Sequence, residues 1–119
     1  MRRTIFIHWV FMSLILVLPF RVPYSLAIET TVEDAETSLN RGNAYYKKGE
    51  YDRAISDYKR ALEINPRYAE AYYNKALACE KAGLTKEAIE AYRGFIQYAP
   101  PQYAGYIEQV RQRIRELGK

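Results

Sequence analysis

The side chains that most often move protons, attack carbonyl groups or bind metals are scarce in this chain of 119 residues, which has one histidine, His8, and one cysteine, Cys79. A lone cysteine forbids an intramolecular disulfide, and one imidazole with one thiol falls short of the ligand set a zinc ion takes. No glycine-rich phosphate loop and no nucleophile motif is present, so an enzyme would have to work with carboxylates alone. Glu87 and Glu90, for instance, stand three apart on a predicted helix. That spacing is the ordinary one for solvated acids beside basic neighbours. Cys79 lies in the packed register of another predicted helix, where a thiol behaves as a small apolar side chain. The chemistry that remains is recognition, and neither catalytic residues, a metal nor a cofactor is expected.

These residues follow an N-terminal segment of a different kind. Arg2 and Arg3 precede an apolar run from Thr4 to Phe20, Pro19 interrupts it, and Ser25 and Ala27 place small residues at the two positions a signal peptidase reads. Residues 1–27 therefore read as a signal peptide cleaved after Ala27, with residues 28–34 a short acidic lead-in. The alternative is retention: about 17 apolar residues can just span a thin bilayer, which would leave the chain anchored in an inner membrane as a structural subunit. Under either reading residues 28–119 are expected outside the cytoplasm, in the periplasm or secreted.

The formal charge of +4 points first towards nucleic acid. Its distribution points away. Arg2, Arg3 and Arg21 all precede Ile28 and every acid follows it, so beyond Ala27 fifteen basic residues face fourteen acidic ones with no basic block. No nucleic-acid partner is expected, and a membrane only through the N-terminal segment if that is uncleaved.

The elements that position the recognising groups come from a repeat. Setting residues 35–68 over residues 69–102 matches ten of 34 positions, among them Asn40/Asn74, Gly49/Gly83, Ala54/Ala88, Tyr58/Tyr92 and Pro66/Pro100. Each copy has helical spacing in two stretches, 35–48 and about 52–64, then 69–82 and 86–98. A glycine able to take the left-handed conformation separates the paired stretches, and proline ends each pair. The fold class is all-α, built of helical hairpins.

At Gly42, Tyr45, Ala54, Tyr58, Ala61 and Pro66 in the first copy, and at Tyr72, Ala76, Ala88, Tyr92 and Pro100 in the second, the chain resembles the tetratricopeptide repeat. Small residues at these places let paired helices approach while tyrosines fill the spaces between hairpins, which accounts for much of a total of twelve tyrosines. The second copy departs at Cys79, at Gly94 within a helix, and at Phe95 where the first has Ala61. Its last hairpin is therefore expected to pack on something other than an identical repeat. Residues 103–119 supply the candidate, a capping helix with Tyr106, Ile107, Val110, Ile114 and Leu117 on one stripe and Phe95 beneath it. Two repeats plus a cap fall below the usual three, which leaves room for self-association or folding on a partner.

The resemblance implies a concave groove lined by the first helix of each hairpin. Its positions here are Glu36, Leu39, Asn40, Asn43, Tyr46 and Lys47, then Glu70, Tyr73, Asn74, Leu77, Glu80 and Lys81, with Asn43 and Asn74 suited to an extended backbone. Some family members clamp an acidic chaperone tail with two asparagines and three cations. Asn43 and Asn74 match the asparagines, but Leu39, Ala104 and Glu108 fall at the cationic positions, so such a tail would lose its charge partners. The expected function is a non-catalytic module that binds a protein or peptide, as scaffold or assembly factor. Regulation of an envelope enzyme through the same groove is the other reading.

Overall fold

The computed structural model describes residues 33–119, which hold five α-helices and one short 3-10 turn. Ser25, Ala27 and the signal or anchor reading lie outside the described residues. The helices are α1 (Ala35–Lys47), α2 (Tyr51–Ile64), α3 (Ala69–Lys81), α4 (Thr85–Tyr98) and α5 (Ala104–Leu117), with the 3-10 turn at Pro101–Tyr103. Among the described residues no helix is long and apolar enough to cross a membrane.

Helix α1 starts where Asp34 Oδ1 accepts from the Thr37 amide at 2.7 Å, satisfying one of the orphan donors of the first turn. It stops at Gly49, whose φ is 77°. The Gly49 amide donates to the Tyr46 carbonyl at 2.9 Å and the Glu50 amide to the Tyr45 carbonyl at 3.0 Å, the paired bonds of a Schellman turn. One period later Gly83, at φ 76°, donates to Glu80 at 3.1 Å and Leu84 donates to Cys79 at 2.8 Å. The second helix of each hairpin ends before proline. Asn65 and Ala99 are both extended, as the residue preceding a proline ring must usually be.

α1 pairs with α2 and α3 with α4, while α2 lies against α3 and α5 against α4. Close approach depends on small residues: Ala54, Ala61, Ala71, Ala76, Ala78 and Ala88 have no exposed surface. At Gly42 a Cβ would stand 2.7 Å from Tyr58 Cε1, so no larger residue fits between α1 and α2 there.

Gly94 has a different cause from the one its setting implies. A Cβ on it would fall 2.6 Å from Tyr72 Cε1, so it makes room for a ring inside its own hairpin and not for the cap. In the first hairpin the equivalent positions are Ser38 and Arg60, which meet at Glu33 through a 3.0 Å hydrogen bond and a 3.9 Å ion pair. Aromatic and polar contents thus fill the same place in successive hairpins. Phe95 does sit under the cap, in a cluster with Ala76, Ala91, Tyr92 and Val110 against which Ile107, Ile114 and Leu117 pack. Tyr106 departs from that stripe: at the first turn of α5 it remains 54% exposed.

Candidate functional site

Two open depressions mark the side formed by the first helices of the hairpins. The smaller, about 240 Å³, is lined by Asn43, Tyr46 and Lys47 of α1, Tyr58 of α2, and Asn74 and Leu77 of α3. The larger, about 630 Å³, is walled by Tyr73, Phe95, Tyr98, Tyr103 and Tyr106, and Asn74 belongs to it as well. One trough therefore runs from α1 across α3 to the start of α5, with Asn74 at its middle.

The floor of the smaller depression is a relay. Tyr58 is buried, and its hydroxyl donates to Asn43 Oδ1 at 2.8 Å, while Asn74 Nδ2 donates to the same oxygen at 3.0 Å. Both lone pairs of that oxygen are then used. Among the described residues, Asn43 Nδ2 and Asn74 Oδ1 make no hydrogen bond, so these two linked amides keep one donor and one acceptor without protein partners there. A peptide group has that complement. Burial pushes the Tyr58 phenol up to about 12, so it stays a neutral donor and holds the relay in this sense at ordinary pH.

One period on, the buried Tyr92 hydroxyl meets Glu80 instead, at the place where α1 has Tyr46. Arg113 of α5 closes this second relay. Its Nε lies 3.1 and 3.0 Å from the two Glu80 oxygens, and its Nη2 also bonds Glu80. Hydrogen bonding by Arg113 holds the Glu80 carboxyl below its usual range, against the opposing effect of burial. Burial, together with the bond to Glu80, holds the Tyr92 phenol well above its own. Glu80 thereby fastens the cap and is not offered to a ligand.

Of the groove residues read from sequence, Asn43, Tyr46, Lys47, Asn74 and Leu77 meet in the smaller depression, and Tyr73 joins the larger. Asn40 and Lys81 are exposed on the same two helices but line neither. Leu39 requires correction. It is 2% exposed and belongs to the core cluster with Ala35, Tyr58 and Ala71. The residue one period later is Tyr73, which stays partly exposed; a leucine side chain has no polar end to keep in water and gains about 1.5–3 kcal/mol by full burial.

The aromatic wall at α4 and α5 was missed by the sequence reading. Tyr73, Phe95, Tyr103 and Tyr106 form a chain of ring contacts with centroids 5.3, 6.4 and 6.1 Å apart, and Tyr103 and Tyr106 are 42% and 54% exposed. The available signal was Pro100-Pro101, which starts a 3-10 turn and sets Tyr103 and Tyr106 at the trough instead of in the cap's stripe.

Stacked helical hairpins with a trough across their first helices define a helical-repeat protein. Comparison with known families gives the same answer: one model described as a TPR repeat matches residues 42–83, and another, the tetratricopeptide repeat, matches residues 69–102. The chain belongs to the tetratricopeptide-repeat family. It is 34% identical over 77 residues to small glutamine-rich tetratricopeptide repeat-containing protein 2 of Mycosarcoma maydis, covering 65% of this chain and 22% of that relative. It is similar also to Hsp70-Hsp90 organizing protein 3 of Arabidopsis thaliana, at 31% over 72 residues, which is 60% of this chain and 13% of the relative. Photosystem I assembly protein Ycf3 of Synechococcus sp. (strain WH7803) is 37% identical over 59 residues, 50% of this chain and 34% of its own length. The chain thus spans a minor part of these relatives, and the likeness is one of repeats.

Proposed function

We propose that the chain is a non-catalytic binding module that acts as a scaffold or assembly factor, taking a peptide or protein segment in the concave trough. The observation that carries this reading is the pair Asn43 Nδ2 and Asn74 Oδ1, which have no protein partner among the described residues and whose side chains line one depression with Tyr46, Lys47 and Leu77. Such a pair meets the donor and acceptor of an extended backbone, and the flanking side chains supply apolar contact. Relatives whose names speak of organizing and of assembly fit a scaffold role. A Tyr46→Ala, Tyr73→Ala double variant tests it. The variant is expected to keep its helical circular dichroism and lose about 2 kcal/mol or more of binding to a partner recovered with the native protein, as aromatic anchors usually do. Unchanged binding by a folded double variant would move the working surface elsewhere.

The module is placed outside the cytoplasm in this proposal, on the cationic start, apolar run and Ser25-Leu26-Ala27 exit of its N-terminal segment. Its mature form then begins at Ile28. N-terminal sequencing of protein recovered from the envelope or medium checks this, and an intact Met1 would favour a retained anchor.

A further inference from the structure

The larger depression differs from the smaller in being walled by rings. Tyr73, Phe95, Tyr103 and Tyr106 meet in turn at interplanar angles of 55°, 73° and 63°, so their faces turn around the bowl instead of forming a flat platform. Among the described residues the one cation–π contact is Arg53 over Tyr45, in the first hairpin, so no protein cation covers these faces. Two charged residues, Arg67 and Glu70, line the same bowl. Neither forms an ion pair among the described residues.

We propose that this bowl binds a small free zwitterion, with a trimethylammonium group against the rings and a carboxylate beside Arg67. This goes beyond the binding of a protein segment and does not rest on it, since Arg67, Glu70, Tyr103 and Tyr106 line only the larger depression. The negative face of an aromatic ring attracts a cation within about 6 Å of its centroid. Tyr103 and Tyr106, with centroids 6.1 Å apart, leave a single cation within reach of both. Methylation follows from the lining: a primary ammonium brings three N–H donors that ring faces cannot satisfy, whereas a trimethylammonium group brings none. Glu70 adds a carboxylate for that cation. A purely cationic ligand would leave Arg67 opposed to it, and a purely anionic one would meet Glu70 and the negative ring faces. A zwitterion answers both charges. The bowl, about 630 Å³, has the size of a small-molecule site.

Amide-resolved NMR titration of the full chain with glycine betaine tests this. The control is tert-butylacetate, which has the same shape and carboxylate but a neutral carbon in place of the nitrogen. Glycine betaine is expected to give saturable shifts around the residues that line the bowl, and the control to bind about tenfold more weakly or not at all. Tyr106→Leu keeps an apolar side chain without the ring and should weaken glycine betaine about three- to tenfold, whereas Tyr106→Phe should stay within about twofold of the native chain. Arg67→Gln should weaken glycine betaine and spare choline, which has no carboxylate; Glu70→Gln should weaken both. Equal affinity for glycine betaine and its control, or no response to glycine betaine at the bowl, overturns the inference on the native chain. Unchanged glycine betaine binding by Arg67→Gln would remove the carboxylate contact and with it the zwitterion. A response to phosphatidylcholine vesicles alone would assign the rings to a membrane headgroup, and a response to trehalose alone to a polyol; either overturns the inference. A folded Tyr46→Ala, Tyr73→Ala variant that keeps its protein partner would remove the concave-face reading and leave this one standing.

Discussion

Arg41 and Asp57 show how a single position can differ between two copies of one motif. Arg41 Nε and Nη2 donate to the two Asp57 oxygens at 2.8 and 2.7 Å, joining α1 to α2, and Arg41 also meets Glu33 at 2.9 Å. Asp57 is 7% exposed, while Arg41 keeps about half its side chain in water. One period later the same places hold Lys75 and Ala91, and Ala91 is simply buried. The second hairpin therefore needs no ion pair at all. Arg41→Ala strands a buried carboxylate and is expected to cost about 1–3 kcal/mol. Adding Asp57→Ala, which copies the second hairpin, should recover most of that loss. Urea denaturation of both single variants and the double variant measures it. Additive losses in the double variant would show that Arg41 contributes by something other than satisfying Asp57.

The turns between paired helices are the elements most directly dictated by sequence. Gly49 and Gly83 both have φ near 77°, and a Cβ on either would meet nothing within 4 Å. Any cost of substitution is then backbone strain alone. Gly49→Val and Gly83→Val should each destabilise by roughly 1–3 kcal/mol, because a β-branched residue fits the left-handed region poorly. Thermal melting of the two variants reads the effect, and unchanged midpoints would mean the turn accepts another conformation. The ends of α2 and α4 were legible for a related reason, since a proline excludes the helical conformation of the residue before it. Gly94 was legible as an anomaly but not in its cause. The ring that needs its space, Tyr72, is on the neighbouring helix, and nothing local to Gly94 points to it.

At the scale of the molecule, the cap is held to the repeats by the apolar cluster around Phe95 and Val110 and by the bond of Arg113 to Glu80. The Glu80 carboxyl is depressed in the fold, chiefly through Arg113, from an ordinary value of 4.5. Its stabilising contribution is therefore complete above about pH 4.5 and is lost as pH falls through the lower folded value. Melting temperature followed from pH 6 to pH 3 should drop more steeply in the native chain than in Glu80→Gln, which cannot titrate there. Parallel curves would assign the acid sensitivity to other carboxylates. The sequence by itself determined the period, the four repeat helices, their turns and the presence of a fifth helix, because helical spacing, glycine and proline act within a few residues. The resemblance to the repeat also put Asn43, Tyr46, Lys47, Asn74 and Leu77 on the concave face, because stacked hairpins set their first helices side by side, and these five line one depression. Tertiary structure alone decided that Leu39 is core, that Asn43 spends its oxygen on Tyr58 and Asn74, that Arg113 occupies Glu80, and that Tyr103 and Tyr106 open onto the trough. Each of those depends on contacts between side chains 15 or more residues apart or on the angle at which α5 leaves Pro101, and periodicity along one chain carries no information about either.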